Sequence, residues 1–316
     1  MNEKDMKSLI EQVILDVMNE KTSPKQTAAA APAARSVGRA CGVTPEAGET
    51  ASGIKQGGTV IEDEIIPDIR EWDYTKCLDV ENAENPEEYL RIKAKTDARL
   101  GAGRCGPRYT TRTMLRMLAD HAGAIDAVES DTKPEVLERN NLFTVSTVCR
   151  DKDEYMARPD LGRLFSKEAE ETIKSKCRMH PDVQVIVADG LSSTAVTMNI
   201  DDLLPSLEQG FKVEGITSGT PFFVKYGRVP AMDPITEYVG SKVTVMLVGE
   251  RPGLATYSSL SAYITYGGYV GMPEAGRTVV SNIHKNGANP VEAGAHIASV
   301  VRKMLDQKAS GTDLKL

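Results

Sequence analysis

Four short runs of apolar, largely β-branched or aromatic residues constrain this chain most: Val183 to Val187, Phe222 to Tyr226, Val243 to Val248 and Thr278 to Ile283. Each has the length of a buried strand. Between them lie stretches with helical periodicity, around Ile200 to Phe211 and Asp233 to Val239, and ahead of the first run Pro159 to Lys174 carries Leu161, Leu164, Phe165 and Ile173 on one helix face. Strands that alternate with helices are the signature of an α/β fold, so the expected architecture is a Rossmann-like, largely parallel, doubly wound sheet over residues 151–316. The last helix has a clear start. Asn289 can cap, Pro290 suits the first turn, Glu292 stands where a capping-box carboxylate reaches back, and Ile297, Val300, Val301, Met304 and Leu305 form a packing stripe.

The N-terminal half reads differently. Residues 80–150 look like a small helical domain with no strand pattern, in which Met114, Leu115 and Leu118 share one face of a helix opening after Gly106 and Pro107. Residues 22–79 are rich in Ala, Gly, Ser, Thr and Pro, including the run Ala28 to Ala34, and are expected to be a flexible linker. Residues 1–21 place Met6, Leu9, Ile10, Val13, Ile14, Val17 and Met18 on one helix face. A short amphipathic helix on a long tether cannot bury that stripe against itself, which points to a partner surface, the plainer alternatives being a frayed terminus or docking on its own domain.

The formal charge of −7 argues against nucleic acid as a partner. No apolar run approaches the ~20 residues that span a bilayer, and the N-terminus lacks the basic start and apolar block of a secretory signal. The five cysteines are scattered, without a C-x-x-C pair, which fits a reducing cytoplasm. Of the phosphate-binding and nucleophile motifs, G-x-x-x-x-G-K-[ST] and G-x-S-x-G are both absent, and His121, His180, His284 and His296 lack metal-ligand spacing. No catalytic residue and no metal ligand is therefore assigned.

Gly101, Gly103 and Gly106 do spell G-x-G-x-x-G. The fingerprint needs a buried strand before it, whereas Tyr89 to Leu100 is charged and helix-like, so a loop between helices competes with a dinucleotide site. Two other turns stand out, Ala188 to Ser193 after the first strand and Gly249 to Gly253 after the third, because ligands gather at the carboxyl ends of strands in open α/β sheets. The plainer alternative is that Asp189 and Ser192 cap the following helix and that Glu250 pairs with Arg251.

The strings GRCGPRYTTRTMLRMLADHA, MARPDLGRLFSKEA, HPDVQVIVADGLSS, GTPFFVKYGRV, VTVMLVGERPGL, RTVVSNIH and MLDQKASG closely resemble, in order and spacing, the small subunit (light chain) of ethanolamine ammonia-lyase. The resemblance covers about Val80 to Gly311. It implies a non-catalytic subunit of a carbon–nitrogen lyase that converts ethanolamine to acetaldehyde and ammonia with adenosylcobalamin (coenzyme B12). The implied partner is a large catalytic subunit built on a β/α barrel, with the small subunit covering the cobalamin at the interface. Carried over by position, the family's cobalamin contacts fall on Val229, Glu250 and Val279, the last standing where some members have cysteine. The D-x-H-x-x-G motif by which some cobalamin proteins ligate cobalt is absent. The family resemblance also extends to residues 1–21, which resemble a tag for shell or lumen proteins of a bacterial microcompartment. That implies a cytoplasmic protein enclosed in the microcompartment lumen. A stand-alone dinucleotide-binding α/β enzyme, resting on the glycine loop, is the competing reading.

Overall fold

The computed structural model describes residue 69 and residues 73–315 other than 81 and 97. The amphipathic segment 1–21 and most of 22–79 lie outside the described residues.

Helix α1 (Pro86–Lys93) opens with the Asn85 side chain accepting from the Glu88 amide and a proline at its first position. A two-strand antiparallel hairpin follows, β1 (Arg104–Cys105) and β2 (Arg108–Tyr109), and then the 19-residue helix α2 (Thr111–Glu129), capped by the Thr110 hydroxyl. The short helix α3 (Pro134–Arg139) leads into β3 (Phe143–Ser146). Beyond it run α4 (Lys152–Ala157), α5 (Lys167–Lys176), β4 (Val183–Ala188), α6 (Ser193–Val213), β5 (Phe222–Lys225), α7 (Met232–Val239), β6 (Val243–Gly249), β7 (Leu260–Tyr266), β8 (Thr278–Ile283) and α8 (Pro290–Gln307).

Strands β3 to β8 form one six-stranded sheet in the order β3-β5-β4-β6-β7-β8. The first four neighbours pair in parallel, whereas β6–β7 and β7–β8 are antiparallel. The sheet is therefore mixed, not the largely parallel one expected. The difference comes from the link after β6, which returns as β7 directly, without the helical crossover a parallel neighbour requires. Strand β7 escapes sequence reading because its inward positions include Ser261 and Thr265, both fully buried, so it lacks the apolar signature of its neighbours. Residues 80–150 also depart from the expectation of an all-helical stretch, since β1, β2 and β3 fall within it and β3 is an edge of the main sheet.

Strands β4 and β6 are buried along their whole length, as central strands covered on both faces should be. Val183, Val185 and Val187 of β4 join Val243, Val245 and Leu247 of β6 in a core under α6 and α8. The alternate residues Ile186, Ala188, Met246 and Val248 pack instead with Ile173 of α5 and Met232, Ile235 and Val239 of α7. Each fully buried side chain of this size contributes about 1.5–3 kcal/mol, so the two cores hold the sheet between its helices. Helix α8 begins as its sequence predicts, with the Asn289 side chain accepting from the Val291 amide at 2.9 Å. All described residues belong to one compact unit of the chain, 50–316. Among them, no helix is long and apolar enough to cross a membrane.

Candidate functional site

In the parallel part of the sheet, β4 leads to α6 on one face and its neighbour β5 leads to α7 on the other. The two chains leave their strand ends in opposite directions. That divergence opens the crevice where ligands bind in open α/β sheets.

Asp189, the residue after β4, lies buried where the two chains diverge and is 1% exposed. Its Oδ2 accepts from the Tyr226 amide at 2.9 Å, and its Oδ1 accepts from the amides of Gly190 at 2.9 Å and Gly227 at 3.2 Å. Burial pushes its carboxyl up to about 6, against the pull of these amides and of Lys152. Asp189 is thus a tie between strand ends, and the capping of α6 falls to Ser192 alone, whose Oγ accepts from the Ala195 amide and donates to the Tyr257 carbonyl. Close approach of the β4 and β6 ends requires glycine at 249, since a Cβ there would run into the Ser192 and Asp189 carbonyl oxygens.

Glu250, just past β6, is half-buried and accepts a hydrogen bond from the Tyr263 hydroxyl at 3.1 Å, where the plainer alternative was a pairing with Arg251. Burial and the neighbouring Glu250 carboxylate raise the Tyr263 phenol to about 12, so it remains a donor. Directly across the β7–β8 ladder from Tyr263 stands Val279, 44% exposed. Residues opposite one another in an antiparallel pair share a face. Val229 opens the turn after β5 and packs, like Tyr263, against the core on the α5 and α7 side. The structure therefore brings Val229, Glu250 and Val279 toward one side of the sheet, with Tyr263 linking the last two. Sequence reading missed Tyr263 because β7 itself was not legible.

The same side holds a buried ion pair that no spacing could reveal, because its partners are far apart in sequence. Arg277, next to β8, donates to both carboxylate oxygens of Asp233 at 2.7 and 2.9 Å and, through Nε, to Glu274 at 2.8 Å. It ties the start of α7 to the start of β8. A cleft of about 460 Å³ lies beside it, bordered by Pro230, Tyr238 and Met272.

The G-x-G-x-x-G string has no part in this site. Gly106 is the turn of the β1–β2 hairpin, with φ +63°, and Gly101 and Gly103 pack against Leu78 and Asp79. Among the described residues no strand precedes the string and no helix opens at its end, so the dinucleotide reading loses its structural basis.

The fold defines an α/β protein whose mixed six-stranded sheet is covered by helices on both faces. The model of the ethanolamine ammonia-lyase light chain family matches residues 86–315. Proteins described as ethanolamine ammonia-lyase small subunit are similar along the whole chain: that of Clostridium perfringens is 51% identical over 315 residues and that of Clostridioides difficile 49% over 317, each covering 100% of both chains. That of Fusobacterium nucleatum is 58% identical over 256 residues, covering 81% of this chain and 87% of its own. The chain belongs to the ethanolamine ammonia-lyase small-subunit family.

Proposed function

We propose that this chain is the cobalamin-covering subunit of an adenosylcobalamin-dependent ethanolamine ammonia-lyase, working with a large subunit that carries the catalytic residues. The observation that carries the reading is the Tyr263–Glu250–Val279 arrangement on one face of the sheet, in which Tyr263 donates to the half-buried Glu250 carboxylate and stands directly across the β7–β8 ladder from the exposed Val279. Its chemistry fits the cofactor. A corrin presents an apolar ring edged with amides, which matches valines for packing and a carboxylate for accepting N–H.

Adenosylcobalamin, when bound, supplies a cobalt–carbon bond whose homolysis starts radical chemistry. The chain's own residues do simpler work. Val229 and Val279 cover apolar surface and keep water from it, while Glu250, fixed in orientation by Tyr263, accepts from the amide rim. The Rossmann-like character of the parallel strands belongs to the same reading, since their crevice gives a flat ligand a place to lie. Residues 1–21 are proposed to direct the assembled enzyme from the cytoplasm into a microcompartment lumen by binding its shell or lumen proteins.

Acetaldehyde release from ethanolamine and adenosylcobalamin tests the main reading, with this chain alone, a cognate large subunit alone and the two mixed. Activity in the mixture alone is expected. Full activity of the large subunit by itself would refute the subunit role. For the targeting role, deletion of residues 1–21 should leave catalysis intact and abolish co-localisation with the shell.

A further inference from the structure

We propose that Asp189 is a positioning residue for the cofactor site, holding the turn after β5 in the one conformation that presents Val229 to the ligand. The inference rests on the cobalamin reading above. Strand β5 is held on both sides by β3 and β4, but at Tyr226 its chain leaves the ladder and turns with φ +60°, a left-handed conformation that residues other than glycine rarely adopt. Something must hold it there. The Asp189 carboxylate does so by accepting from the amides of Tyr226 and Gly227, one on each oxygen.

The rest of the turn is pinned from the side. The Tyr155 hydroxyl donates to the Gly227 carbonyl at 3.3 Å, the Tyr226 ring stacks on that of Tyr155 at 5.7 Å, and the Arg228 amide donates to the Gly162 carbonyl at 2.8 Å. Arg228 also lays its guanidinium over the Tyr155 ring and donates to the Tyr155 carbonyl. Val229 follows directly. Its place is thus set by contacts that begin at Asp189, a residue buried too deeply to touch a ligand itself. An ionised carboxylate offers acceptors to every amide that points at it. Asparagine, nearly the same in shape, would aim an N–H₂ at one of them and break that bond.

The charged and titratable groups facing Asp189 are Lys152 and Tyr155, both from α4. Because burial places its carboxyl near 6, the positioning form is present at neutral pH and is lost in mild acid.

The test uses the assembled complex with the large subunit, titrated with adenosylcobalamin and followed by absorbance. Asp189→Asn should raise the cofactor Kd at least tenfold while the KM for ethanolamine at saturating cofactor and the elution volume of the complex stay unchanged. Wild-type affinity in the variant overturns the proposal. If the wild-type complex takes up no cobalamin, the underlying reading fails instead. A second measurement needs no variant at 189: wild-type affinity should fall several-fold between pH 7.5 and 5.5, and Glu250→Gln should show the same fall. A flat profile, or one that Glu250→Gln flattens, rules the positioning role out even if Asp189→Asn fails to assemble.

Discussion

Replacing Asp233 by alanine removes both carboxylate acceptors from the Arg277 guanidinium, whose side chain is 1% exposed in the folded chain. What remains is the Nε bond to Glu274, a residue whose side chain is 67% exposed and therefore a weak counterion. Breaking a buried pair by deleting one partner costs about 3–5 kcal/mol, and the surviving Glu274 bond places this case near 3. For a domain of this size 1 kcal/mol moves Tm by about 2–4 °C, so Asp233→Ala should lower it by roughly 6–12 °C. Circular dichroism melts of the purified chain would measure it. The pair Asp233→Leu with Arg277→Met leaves no unpaired buried charge, Glu274 being 67% exposed, and should recover most of the loss. A drop below 2 °C for the single variant, or a double variant no better than the single, would refute the view that an uncompensated buried charge is the cause.

Tyr263→Phe deletes the donor that orients Glu250 and should weaken adenosylcobalamin binding to the assembled enzyme by about 1 kcal/mol, read by absorbance titration. Glu250→Ala should cost about 1–3 kcal/mol in the same assay without changing the melt of the chain. Gly249→Ala forces a methyl group against two carbonyl oxygens and should reduce soluble yield and Tm more than alanine at the exposed Gly253, checked side by side. Asp189 makes stability depend on pH with a definite sign: its folded pKa, about 6, lies above its ordinary value of 3.8. Folding therefore favours the protonated form: no stability is lost to Asp189 below its unfolded pKa, and about 3 kcal/mol is lost as pH rises through 6, because the ionised form that holds the turn must be buried and its amide bonds offset that cost only in part. The gap in urea midpoints between wild type and Asp189→Asn should accordingly narrow from pH 5 to pH 7.

The elements most legible in the sequence were those buried on both faces. Val183 to Val187 and Val243 to Val248 announce themselves because a central parallel strand needs apolar residues at nearly every position. Thr278 to Ile283 was equally plain, its β-branched residues marking β8 to the residue. Strand β7 was opaque, because buried Ser261 and Thr265 break the apolar pattern and only pairing with β6 and β8 explains them. In α2 the apolar residues Met114, Leu115 and Leu118 marked the helix correctly but are exposed on this subunit, so periodicity located the element without locating its partner. Within the site, Glu250 was readable as a strand-end residue, whereas its bond to Tyr263 depends on a strand pairing that local sequence does not encode. The tie from Asp189 to Tyr226 is of the same kind, two strand ends joined across the sheet.

The outer edge of the sheet has a bearing on solubility. Strand β8 keeps a regular register with β7 only from Thr278 to Val280, then shifts before Ile283, and Asn282 takes a left-handed φ of +63°. At its beginning the amide of Gly311, from the C-terminal turn, donates to the Thr278 hydroxyl at 2.9 Å. A strand covered at one end and kinked at the other offers an incoming chain too few evenly spaced amides and carbonyls to zip onto. The bend guards against runaway edge-to-edge stacking between copies, a hazard that rises wherever a protein is held at high local concentration.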